Sequence, residues 1–131
     1  MTDLPTLARI TRAGYDREKQ KLQQVIAEET ALRTELARLG EMEQEARKNT
    51  DDTHRSLGAD VIWQGWLGRT RTDLNMKLAR VLAVKAHHQT KVRKAYGKVL
   101  VLDELLADAH DTRKQRLAKQ ALLRAIDQSL F

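Results

Sequence analysis

The chain of 131 residues is 41% apolar, only 4% aromatic and 32% charged, which leaves too little bulk for a thick globular core but enough for a thin seam between helices. It has no cysteine, which excludes disulfides and the metal sites that depend on thiolates. The formal charge of +6 is uneven: residues 1 to 60 hold ten Lys/Arg against twelve Asp/Glu, and residues 61 to 131 hold fourteen against six.

High charge with few aromatics is also the signature of disorder, and only a sustained apolar period argues against it. The opening Met1-Thr2-Asp3-Leu4-Pro5-Thr6 has no basic stretch leading into an apolar one, so no signal peptide is expected. Nowhere do about eighteen apolar residues run together, so no membrane span is expected either. With the absent cysteines, this suits a soluble protein of a reducing, cytoplasmic compartment.

Pro5 is the only proline and sits where a first helical turn tolerates it, with Thr2 or Asp3 as the cap. A heptad register then runs without a forced break. Leu22, Leu36 and Glu43 fall at position a, and Val25, Leu32, Leu39 and Ala46 at d; extending backwards adds Tyr15, Ala8 and Leu4. The first helix is predicted from about 5 to 49, a length of ~65 Å at 1.5 Å per residue. Gly14 and Gly40 each cost it about 1 kcal/mol.

Asn49-Thr50-Asp51-Asp52-Thr53 and Ser56-Leu57-Gly58 favour turns and caps, so the chain is expected to reverse over about 50 to 59. Asp60 is the expected cap of a second helix running to about 130, loosened at Gly65 and Gly68. Its seam returns through Leu74, Leu78, Val81, Val92, Ala95, Val99, Leu102, Leu106 and Ala109, then slips in phase toward Leu117, Leu122 or Leu123, Ile126 and Leu130. The fold class is therefore all-α: one domain over residues 1 to 131, two long helices in an antiparallel coiled-coil hairpin.

Polar seam positions specify the register. In a hairpin turning near residue 57, paired positions sum to about 114, which sets Glu43 against Arg71 and Glu29 against Lys85. Both breaks in the apolar stripe would then meet an opposite charge, an arrangement that specifies register more than it adds stability. The longer second helix should reach Leu4 and pass it.

Catalytic and metal chemistry find little support. His87 and His88 are neighbours on one helix and point about 100° apart, while His54 lies in the turn and His110 far down the second helix. The carboxylate pairs Glu28-Glu29, Asp51-Asp52 and Asp103-Glu104 need a pocket to become acid and base, and a two-helix seam has none. Gly65-Trp66-Leu67-Gly68 lacks the spacing and the lysine of a phosphate loop. Ser56 and Ser129 have no base nearby in sequence. No enzymatic activity, cofactor or metal is expected.

The nine bases from Arg69 to Lys98 face one acid, Asp73, and could meet nucleic acid, an acidic protein or the acidic first helix. They are spread around the helix without a known nucleic-acid motif, so nucleic acid is not expected and the first helix is the simpler counterpart. The richest segment is Val61-Ile62-Trp63-Gln64-Gly65-Trp66-Leu67. It gathers both tryptophans, on more faces than one partner helix can bury. Either some of these groups stay exposed as a binding surface, or they form a plug with Leu57 and Met42.

These features resemble the flagellar FliJ family and its virulence-secretion counterparts of the YscO type. The likeness covers the whole chain as architecture: Leu4-x-x-Leu7-x-Arg9-Ile10 opening the first helix, a polar turn, and a longer basic second helix. Trp63-Gln64-Gly65-Trp66-Leu67 followed by Leu74 is similar to the family's aromatic-Gln-x-aromatic-aliphatic stretch after the turn. The resemblance implies a non-enzymatic central stalk of a type III export apparatus, cytoplasmic and peripheral to the membrane-bound machinery, similar to the coiled-coil part of the rotary ATP synthase γ subunit. Its implied partners are the export ATPase hexamer, the cytosolic domain of the export gate membrane protein, and export chaperones, without insertion into the membrane. By position, Leu4, Leu7, Arg9, Arg12, Lys119 and Arg124 would meet the ATPase ring. Trp63, Gln64, Trp66, Leu67, Thr70 and Asp73 would meet the gate, although Thr70 and Asp73 are polar where the family pattern is apolar. The alternatives are a coiled-coil scaffold or adaptor that oligomerises through its seam, and a basic nucleic-acid-associated coiled coil.

Overall fold

A computed structural model describes residues 3–48 and 56–130, with side chains described over 3–48 and 58–130. Two helices make up the described chain: α1, Leu4–Lys48, and α2, Ser56–Leu130. They pack against each other as an antiparallel hairpin, with no strand among the described residues. Thr2, the turn residues 49–55 with His54 and the Asp51-Asp52 pair, and the side chains of Ser56 and Leu57 lie outside them.

The start of α1 follows from its cap. The Asp3 carbonyl accepts the Leu7 N–H at 3.0 Å, the first bond of the helical ladder, and the Thr6 hydroxyl donates to Asp3 Oδ2 at 2.7 Å, which ties the cap residue's side chain to the first turn. Pro5 follows immediately, where its missing N–H costs nothing. The start of α2 departs from expectation. It begins at Ser56, so Asp60 lies inside the helix and does not cap it. The earlier start gains a turn of backbone bonds for one helical glycine, Gly58, which costs about 1 kcal/mol. Gly65 and Gly68 stay in unbroken helix, and no described residue has positive φ.

The hairpin divides into two contact units, residues 20–90 and residues 1–19 with 91–131. In the unit of residues 20–90, Leu39, Leu67 and Leu74 form the buried cluster, and Leu32, Leu36, Met42 and Trp63 pack against it. Each of these leucines contributes roughly 1.5–3 kcal/mol by leaving water. Both predicted polar pairings are present. Arg71 donates to Glu43 Oε2 at 2.6 Å and Lys85 to Glu29 Oε1 at 2.7 Å, and both pairs have positions summing to 114, the predicted register.

In the other unit Val99 is buried, and Tyr15 and Tyr96 meet with ring centroids 5.4 Å apart. Half-buried positions recur at Leu4, Ala8, Thr11, Tyr15 and Glu18 on α1 and at Val92, Ala95, Leu102 and Leu106 on α2. The predicted stripe ends at Leu106. Ala109 is exposed, and so is every residue from 107 to 130, including Leu117, Leu122, Leu123, Ile126 and Leu130. The slipped phase therefore has no α1 to face, because α1 begins at Leu4 and α2 runs on past it.

Candidate partner-binding surfaces

Around the tryptophans, one turn of α2 does two jobs. Leu67 is 1% exposed and sits in the cluster with Leu39 and Leu74. Its place on the seam stripe dictates where its neighbours point, since residues three and four positions away share its side of the helix. Trp63, four residues earlier, is half-buried and packs on that cluster, while Trp66 is 41% exposed. The two indoles stack with centroids 5.2 Å apart and planes 20° from parallel. Val61 and Ile62 lie on the outside, Ile62 at 73% exposure.

The tryptophan segment thus satisfies both sequence readings in part. Trp63 and Leu67 plug the seam together with Met42, and Val61, Ile62 and Trp66 remain at the surface. A groove lined by Ala59, Ile62, Trp63, Trp66 and Arg69 runs along this side. Another, lined by Glu35, Arg38, Met42, Trp66 and Thr70 among others, opens on the far side of Trp66. Gln64 and Asp73 line a third with Gly65, Gly68 and Thr72. Of the six residues predicted to meet a gate, five therefore reach a groove, and Leu67 supports them from the core.

Of the residues predicted to meet a ring, Leu4 is half-buried in the seam, Leu7, Arg9 and Arg12 are exposed on α1, and Lys119 and Arg124 are exposed on α2 beyond Leu106. The hairpin seats Leu4 in the seam, leaves Leu7, Arg9 and Arg12 on the outside of α1, and sets Lys119 and Arg124 on the uncovered stretch of α2. On the stretch beyond Leu106, Ala118, Leu122, Ile126 and Leu130 recur every fourth residue as an apolar stripe that Lys119 interrupts, while Arg113, Arg116 and Arg124 lie on the other side together with Leu117. Nothing in the described chain covers either side.

The charged seam pairs are structural. Hydrogen bonding to Lys85, then to Arg33 at 2.9 Å, holds the Glu29 carboxyl below its ordinary 4.5, and the Arg71 guanidinium does the same for Glu43. His88 faces the seam with Nδ1 buried, and its ring meets His87 edge-on at 5.6 Å. No group of three or more potential metal ligands occurs among the described residues, and no described helix is long and apolar enough to cross a membrane.

The tyrosines mark a surface that sequence periodicity missed. Tyr15 follows the seam register, but Tyr96 falls outside it and still covers Tyr15 from the flank. Its only sequence signal is that it directly follows the seam residue Ala95. The chain matches no protein-family model, no curated protein and no solved structure.

Proposed function

We propose that this chain is a non-enzymatic stalk subunit of a bacterial flagellar or virulence type III protein export apparatus, binding the export ATPase ring and coupling it to the export gate. The observation that carries the reading is the bare continuation of α2 over residues 107–130, a helix with exposed large apolar side chains and no counterpart in α1. A helix with an apolar stripe and nothing to cover it is a ready partner for a larger assembly. Lys119 and Arg124 on that stretch, with Leu4, Leu7, Arg9 and Arg12 at the start of α1, are the groups that would meet the ring. Trp63, Gln64, Trp66, Thr70 and Asp73 would meet the gate, Leu67 holding them in place. Export chaperones are further partners of this reading, which places the protein in the cytoplasm, peripheral to the membrane.

The scaffold alternative loses support where the seam is already satisfied within one chain by the Glu29–Lys85 and Glu43–Arg71 pairs. Analytical ultracentrifugation of the cognate export ATPase with nucleotide tests the stalk reading. The expected result is a shift of the ATPase to a hexamer on adding this protein, lost with Arg124→Ala and kept with Trp66→Ala. No shift, with this protein sedimenting as its own stable oligomer, would leave the scaffold as the better account.

A further inference from the structure

The whole formal excess of +6 resides in two short stretches of one contact unit. Residues 9–19 and 91–98 hold Arg9, Arg12, Arg17, Lys19, Lys91, Arg93, Lys94 and Lys98 against only Asp16 and Glu18. Complementarity to the acidic part of α1 explains Arg71 and Lys85, which bond its glutamates, but it does not explain these. Residues 9–19 of α1 are themselves basic in sum, four bases to two acids, and Glu18 is the one charged residue they contribute to the groove beside Lys91, Lys94 and Lys98.

Lys91, Lys94 and Lys98 lie at i, i+3 and i+7, so they share one side of α2. All three are exposed, and none joins an ion pair among the described residues. With Ile10, Thr11, Gly14 and Ala95 they line a groove of about 430 Å³, in which Glu18 is the only carboxylate. A second depression of about 470 Å³, bounded by Gly97, Val101 and Leu102, shares Lys94 and Lys98 with the first. Glycine at 14 and at 97 keeps the surface low, and a Cβ built at either would meet nothing within 4 Å. Apolar groups run along the same side: Ile10 is 63% exposed, and Leu7, Val101 and Leu105 are exposed with it.

We propose that this double groove binds an acidic amphipathic helix of another protein, its apolar stripe lying on Ile10 and Val101 and its carboxylates meeting Lys91, Lys94 and Lys98. The inference does not depend on the stalk reading. Apolar side chains between lysines suit a helix that carries both kinds of group, which is the helix-in-groove mode of recognition. A nucleic-acid backbone would leave Ile10, Val101 and Leu105 unmatched. The chain's own segments fit poorly: α1 has spent its apolar stripe in the seam, and residues 107–130 carry five bases against three acids.

The probe is a fluorescein-labelled helical peptide of repeated Leu-Glu-Glu-Leu-Ala-Glu-Ala heptads, titrated with the full chain and read by anisotropy. A scrambled peptide of equal composition and a labelled DNA duplex serve as comparisons. Gly14→Leu sends a side chain into the groove from a Cβ position that meets nothing within 4 Å, and circular dichroism checks that it stays folded. Lys94→Gln/Lys98→Gln removes the shared rim charges from an exposed surface. The expected result is binding of the heptad peptide in preference to both comparisons, lost with Gly14→Leu and weakened about tenfold or more by the lysine double variant. The proposal is overturned if the peptide does not bind, if Gly14→Leu binds it as well as the parent, or if the scrambled peptide or the duplex binds equally at physiological salt.

Discussion

Glu29 is the one buried charged residue among those described, and it is held there by two cations, Lys85 across the seam and Arg33 one turn along α1. Glu43 repeats the arrangement with Arg71 and Arg47. Both carboxyls are depressed below their ordinary 4.5 in the folded chain. The unfolded chain therefore binds more protons in that range, and stability falls as pH drops from about 4.5 through the folded values. Their contribution is complete above that window and absent below it. In thermal melts followed by circular dichroism, a Glu29→Gln/Glu43→Gln variant should melt below the parent at pH 7, and the gap should narrow toward zero near pH 3. A gap of the same size at both pH values would mean that the carboxylates contribute by shape and not by charge.

Each helix is long because nothing in it forces a stop, and it remains a helix because its seam is covered over most of its length. Isolated helices are marginal in water, and packing of an apolar face supplies most of their stability. Five mid-helix threonines, Thr11, Thr30, Thr34, Thr72 and Thr90, return their hydroxyls to the carbonyl four residues earlier, at 2.7–3.1 Å, so these surface hydroxyls bond within their own helix. Glycines are the weak points of these elements. Gly40 and Gly97 have ordinary helical backbone and open space where a Cβ would stand. Replacing each with alanine should raise stability by about 0.5–1 kcal/mol, chiefly by restricting the unfolded chain. Denaturant titration is the check, with a higher midpoint and an unchanged slope as the expected outcome.

For the molecule as a whole, the uneven charge sets how it answers to salt. The exposed bases between residues 9–19 and 91–98 repel one another through water, where salt screens well, while the glutamate pairs of the seam are partly shielded and screened less. Raising sodium chloride at pH 7 should therefore raise the melting temperature; a fall would show that the seam pairs outweigh the crowded bases. Much of this arrangement was legible in the sequence. Heptad spacing gave the two helices and their antiparallel pairing, and the polar positions Glu29, Glu43, Arg71 and Lys85 gave the register, because a buried charge must find its opposite. Other features depend on what stands opposite a residue, which periodicity along one helix does not contain. Only packing separated Leu67 in the core from Trp66 at the surface, ended the seam at Leu106 while apolar spacing continued to Leu130, and set Lys91, Lys94 and Lys98 along one groove with Ile10 and Gly14. The sequence alone determined which residues want to be covered; the tertiary structure decided which of them are, because α1 can cover only the stretch of α2 that it runs beside.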